Sequence, residues 1–225
     1  MFKSIILLTC VILSPYLVAE TTLPKHLIFG YNYHPAVIQY HIPIIRQAYK
    51  NLGIATEFVA MPIERDLMQT SKGIIDGNVI KPLFRIKQYE NLIAVSQPID
   101  NARFVVFCRV SKPCNPNILQ NPKNTILMGV GSKVFAYSDD WHAQVYKISD
   151  LGNFKELFES KKFDYFTYVL SQKTHYQHNF KNVKYFILYE EQVYHVLHKK
   201  YAFMQEQVNN AIKQILAERN DPLHK

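Results

Sequence analysis

Beyond its first nineteen residues the chain has no apolar run long enough to cross a bilayer as a helix. It has no basic run interleaved with aromatics and no recognisable nucleic-acid motif, so nucleic acid is not an expected partner. Gly-x-Ser-x-Gly, a phosphate loop and His-Glu-x-x-His are all missing, which removes the common signatures of hydrolases, nucleotide-binding enzymes and zinc proteases. Short tandem repeats are missing too. His175 with His178 and His195 with His198 are i,i+3 pairs, but no cysteine or carboxylate cluster completes either set, so neither a metal nor a cofactor is expected. Asp139-Asp140-Trp141-His142 reads as a helix end with an anchoring aromatic rather than as an acid/base group.

The amino terminus carries one cation, Lys3, then the apolar run Ile5 to Leu13, Pro15, and Ala19 before Glu20. That is the layout of a signal peptide cut after Ala19, with an uncleaved anchor as the alternative. The run before Cys10 is too short, and Thr9 too poor a neighbour, for a lipoprotein signal. Cleavage leaves 206 of the 225 residues and lowers the formal charge from +8 to +7. A basic exported protein suits anionic ligands or an anionic envelope surface; scattered solvating lysines are the plainer explanation. Of three cysteines only Cys108 and Cys114 remain, and in an oxidising compartment such a close pair is expected as a disulfide around Pro113; two buried thiols are the alternative.

The stretch Met61 to Arg85 organises the rest. Pro62, the run Ile63 to Met68 and Gly73 predict a helix with a proline start and a glycine stop. Ile74 to Ile80 predicts a short buried strand, with Lys81 and Arg85 following it, and ligands of open α/β sheets bind beyond carboxyl ends of strands. Before it come a strand at His26 to Gly30, a loop holding Tyr31, Tyr33 and His34, a helix from about Val37 to Leu52 and a strand at Ala55 to Met61. Short strands follow at Leu92 to Val95 and Asn101 to Val110. A second unit echoes the first: a strand at Thr125, a turn at Gly131 with Ser132 capping a helix to about Asp139, strands at Gln144 and Phe163 to Tyr168, a helix near Val169 to His178, and a strand at Val183 to Leu188. Gln192 to His198 is β-like, and Tyr201 to Arg219 is an amphipathic helix.

Pro62-x-x-Arg65-x-Leu67, then Gly73, then Asp76-Gly77 ahead of a strand resembles the first lobe of family 3 extracytoplasmic solute-binding proteins. The resemblance extends, through the order of elements, to nearly all of the exported chain. It implies an α/β, two-lobed type 2 periplasmic-binding-protein fold with a ligand cleft between lobes. Lobe 1 would span 20–104, lobe 2 would span 105–192, and 193–225 would return to pack on lobe 1. It implies a periplasmic, monomeric, non-catalytic protein that traps a small-molecule solute for an ATP-driven importer (an inner-membrane permease) or a membrane sensor. The expected ligand contacts are Arg85 and Lys81 for a carboxylate, Tyr31 or Tyr33 as an aromatic wall, Gly131 and Ser132 for an anion, and Tyr168. One departure bears on the ligand. Amino-acid binders of the family place an aspartate about five residues beyond the Asp164 position, and this chain has Val169 there with Tyr168 beside it. That favours a carboxylate or other anion over a standard amino acid. The rival expectation is an enzyme of the same fold, a dehydratase of a cyclic carboxylic acid using Glu64, Asp66 or His34.

Overall fold

The computed structural model describes residues 22–129, 140–148, 154–173 and 180–220. Gly131, Ser132, the expected signal peptide over 1–19, the helix expected from Ser132 and the pair His175/His178 lie outside the described residues. One mixed sheet of eight strands runs through the molecule in the order β2-β1-β3-β8-β4-β7-β5-β6. Its first part is β1 (His26–Tyr31), α1 (Ile42–Asn51) preceded by a π-helical turn (Val37–His41), β2 (Ala55–Ala60), α2 (Ile63–Ser71), β3 (Gly77–Pro82) and the one-turn α3 (Leu83–Ile86). β1 lies between β2 and β3, parallel to both, as strands joined by helical crossovers should.

Two long strands connect the halves. β4 (Leu92–Arg109) and β8 (Val183–His198) pair antiparallel along their length, with register shifts between Ala94 and Pro98, between Pro98 and Asp100, and between Phe104 and Val105. Here the structure differs from the sequence reading, which breaks each into two pieces. Proline cannot donate to a ladder, so Pro98 sits at an irregularity and the strand continues past it. Beyond them lie β5 (Thr125–Gly129), β6 (Gln144–Ile148), α4 (Phe154–Glu159) and β7 (Tyr165–Ser171), with β5 parallel to β6 and β7 and β7 antiparallel to β4. β7 runs on through Val169 to Ser171, where a helix was expected. The chain ends in a 3-10 turn (Lys199–Met204) and α5 (Gln205–Asn220). Among the described residues no helix is long and apolar enough to cross a membrane.

Two cores flank the crossing. In one, Leu27 and Phe29 of β1 meet Ile44, Ile45, Ala48 and Tyr49 of α1, while Val208, Ile212 and Ile215 bring α5 onto the same side. In the other, Phe107, Phe158 and Phe166 pack with Leu127. Cys108 and Cys114 are disulfide-bonded, with Cα atoms 5.7 Å apart, beside Val106, Ile118 and Ile126.

The Gly73 and Asp76-Gly77 signals have physical causes. Gly73 has φ +71° just past the end of α2, the left-handed stop that a side chain resists. A Cβ on Gly77 would lie 2.2 Å from the Val196 carbonyl oxygen, so only glycine lets β8 approach β3 there. Asp76 takes the Ile28 N–H at 2.8 Å on one oxygen and, on the other, the Tyr201 hydroxyl at 2.5 Å and Lys200 Nζ at 3.2 Å. It fastens the returning carboxyl-terminal segment to β1.

Candidate functional site

A cavity of about 170 Å³ opens where the crossing strands meet the loop after β1, α3 and the end of β7. An apolar cavity of about 150 Å³ already admits benzene, so this one suits a solute of similar size. Its apolar walls include Val37, Ile63, Ile80, Phe104, Val169 and Val193, with a few polar groups among them, the usual make-up of a small-molecule site.

The first polar group is built around Lys81. Cβ alternation along β3 and the entry angle of α2 bring Lys81, Asp66 and Asn32 together. Lys81 Nζ donates to Asp66 Oδ2 and to Asn32 Oδ1, both at 2.8 Å, and Asn32 Nδ2 donates to the Met61 carbonyl at 3.0 Å. Burial pushes the Asp66 carboxyl above its ordinary pKa, and the Lys81 ammonium opposes that rise. Asp66, which the sequence allows on an exposed helix face, is fully buried, because its charge is balanced by Lys81 fifteen residues away.

Arg85 is the second group. Pro82 starts the one-turn α3, and this turn swings Arg85 inward until it is fully buried in the cavity wall. Its Nη2 donates to Glu64 Oε1 at 2.6 Å, while Nε and Nη1 are shielded from solvent and have no hydrogen-bond partner. Glu64 keeps 42% of its side chain exposed, so the ion pair reaches from the interior to the surface. Buried donors without acceptors are rare and costly, and each calls for an explanation.

The third group centres on Asp100 in β4. Its Oδ2 accepts from His41 Nε2 at 2.9 Å and from the Ser171 hydroxyl, and its Oδ1 accepts from the backbone N–H groups of Asn101 at 2.7 Å and Lys173 at 3.2 Å. Burial raises the carboxyl's pKa, but the hydrogen bonds from His41 and Ser171 outweigh it and hold the group ionised, below its usual range. His41 ends the π-helical turn, a local irregularity often found at functional sites, and its Nδ1 has no partner.

His34 spans the cavity mouth. The Ala36 N–H donates to Nδ1 at 3.2 Å, so Nε2 carries the proton and donates to the Val169 carbonyl of β7 at 3.0 Å. Desolvation, with the neighbouring His41 second, lowers its pKa to about 4.

The expected site residues separate. Tyr33, Lys81 and Arg85 line the cavity together, although Tyr33 is 61% exposed and two of the three Lys81 donors are already engaged. Tyr31 packs against the core under β1, and Tyr168 packs on the His34 ring, centroids 5.1 Å apart, and on Phe107, Phe166 and Phe180. Neither is among the lining residues. His41, Asp100 and Ser171 were missed. The available signal was a histidine at an otherwise apolar helix start and an aspartate two residues beyond the strand proline. Among the described residues no group of three or more His, Cys, Asp or Glu is arranged to hold a metal.

No family model and no curated protein sequence matches the chain. Solved structures do resemble it. The arginine-bound form of ArgBP from T. maritima aligns with a TM-score of 0.70 at 14% identity, covering 85% of this chain and 96% of that protein. The GluR0 ligand-binding core from Nostoc punctiforme, in complex with L-glutamate, aligns at 0.69 and 15% identity, covering 85% and 93%. The ancestral amino acid-binding protein AncCDT-1, a precursor of cyclohexadienyl dehydratase, aligns at 0.71 and 16%, covering 86% and 91%. At such identities the likeness establishes the fold alone: a two-lobed α/β architecture of the type 2 periplasmic-binding-protein kind.

Proposed function

We propose that the protein is an exported solute-binding protein that holds a small carboxylate-bearing solute in the cavity between its lobes. The observation that carries this reading is Arg85, a fully buried guanidinium in the cavity wall with two donor nitrogens unpaired. A guanidinium holds a carboxylate through two parallel charge-assisted hydrogen bonds; with one Nη2 proton given to Glu64, the other completes such an edge with Nη1 or with Nε. Tyr33 and Lys81 border the same cavity, Gly131 and Ser132 are assigned to the opposite lobe's anion contact, and Tyr168 supports the wall through His34. Lobe 1 comprises 20–104 and the returning 193–225, lobe 2 comprises 105–192, and the bends in β4 and β8 serve as the hinge. Closure around solute then shifts an open population to a closed one that an importer or membrane sensor reads.

The neighbours bind amino acids by their descriptions, which supports a small-molecule ligand here. A thermal-shift panel of amino acids, organic acids and small peptides tests the reading, because a solute that binds only the folded state raises the melting temperature. Arg85→Ala removes charge-assisted bonds worth about 1.5–3 kcal/mol, so it is expected to weaken the carboxylate hit by roughly ten- to over a hundredfold. A solute without a carboxylate as the tightest hit, or unchanged affinity in Arg85→Ala, would sink the assignment. A second reading, an enzyme on this fold, is favoured by one observation, the His41–Asp100 pair in the cavity wall. Turnover of a cyclic carboxylic acid would establish it.

A further inference from the structure

The cavity wall has a second pole besides Arg85. Asp100 is ionised and buried, and His41 Nε2 donates to it, so the only His41 nitrogen left for a ligand is Nδ1. His41 is 2% exposed, lines the cavity, and its Nδ1 has no hydrogen-bond partner. With Nε2 donating to Asp100, Nδ1 is the ring nitrogen that can accept, and the carboxylate behind the ring makes that lone pair a better one. The formal charges around the cavity point the same way. Lys81 is matched by Asp66 and Arg85 by Glu64, whereas Asp100 faces only the imidazole.

Resting on the carboxylate reading of Arg85, we infer that the ligand is zwitterionic and that the His41–Asp100 pair receives its ammonium. This pair does the work of the aspartate missing beyond Asp164, from a different place in the fold. The receptor sits on the π-helical turn before α1 and on the crossing strand β4. Residues 59 apart thus supply an anionic pole, and an amino acid needs no aspartate beyond Asp164. The cavity's size restricts the ligand to a small amino acid or a similar short zwitterion.

Titration calorimetry on the intact chain tests this with matched trios: an α-amino acid, the same acid with hydrogen in place of the amine, and the 2-hydroxy acid. The ammonium-bearing member is expected to bind about tenfold or more tightly than its des-amino partner. His41→Gln keeps an N–H for Asp100 but has no Nδ1, and it is expected to bring the pair to within about threefold. Arg85→Ala should weaken both members alike. Equal affinity of the pair for the unaltered protein, or tighter binding of a dicarboxylate, overturns the inference whether or not the variant folds. A preference that persists in a folded His41→Gln overturns it as well. If His41→Gln removes the preference while Arg85→Ala changes nothing, the ammonium pole stands and the carboxylate reading falls. If no trio member binds, both fall.

Discussion

Lys81→Met isolates the buried ion pair on which the first polar group depends. Methionine fills nearly the same space, so little cavity is created, but Asp66 loses its 2.8 Å partner while remaining fully buried. Asn32 still donates to the same oxygen at 3.2 Å, and the other carboxylate oxygen has no donor. Leaving one member of a buried pair uncompensated costs about 3–5 kcal/mol, whereas replacing both by apolar groups is often close to neutral. Lys81→Met is therefore expected to lose about 3 kcal/mol or more at pH 7.5, and adding Asp66→Leu to recover most of it. The pH dependence has a definite sign. Burial already holds the Asp66 carboxyl above its ordinary pKa, and removing Lys81 takes away what opposes that rise. A carboxyl whose folded pKa exceeds its unfolded value binds protons preferentially in the folded state, so stability rises as pH falls through the folded pKa. Lys81→Met should thus regain stability, relative to the unaltered protein, between pH 7.5 and 5. Urea unfolding followed by circular dichroism measures all three variants. A loss below about 1 kcal/mol, or a double variant no more stable than the single, would refute the account.

Other perturbations have equally definite outcomes. His195 donates from Nδ1 to the Val79 carbonyl at 3.2 Å and accepts the Tyr49 hydroxyl at 2.9 Å, and desolvation lowers its pKa to about 4. Because the unfolded chain binds the proton first, stability should fall between about pH 6.5 and pH 4 by roughly 3 kcal/mol from this group. Denaturant titrations across that range check it, and a flat profile would contradict it. Cys108–Cys114 closes only a short loop, so reducing it is expected to cost only about 2 kcal/mol, read as a lowered melting temperature in reductant. Gly77→Ala puts a methyl 2.2 Å from the Val196 carbonyl and should prevent β3–β8 pairing; recovery of well-folded protein at normal yield would count against the close approach.

Local signals made half of the architecture legible. Gly73 and Asp76-Gly77 stand where a left-handed stop and a tight strand approach require them, and the apolar face of α5 was plain from Val208, Ile212 and Ile215. β4 and β8 were read as fragments because Pro98, Asp100 and the polar run Glu190 to Gln192 look like turns. In the structure these residues lie in the crossing, where polar side chains meet a cavity or solvent instead of a core. The site was less legible for a related reason. Arg85 and Lys81 stood out as cations after a strand, but what each is paired with depends on contacts between 15 and 21 residues away. His41 and Asp100 meet across 59 residues, and the π-helical turn that aims His41 has no local sequence mark.

Asp100 gathers bonds from α1's leading turn, from β4 itself and from the end of β7, and His34 reaches β7 by a single bond. That imbalance gives the two lobes a fulcrum and a clasp. Swinging them apart about Asp100 would forfeit the His34–Val169 bond, the His34–Tyr168 ring contact and apolar packing at the rim, whereas swinging them about the rim would strip a charged carboxylate of most of its donors. A rotation about Asp100 would therefore leave that carboxylate's four donors in place.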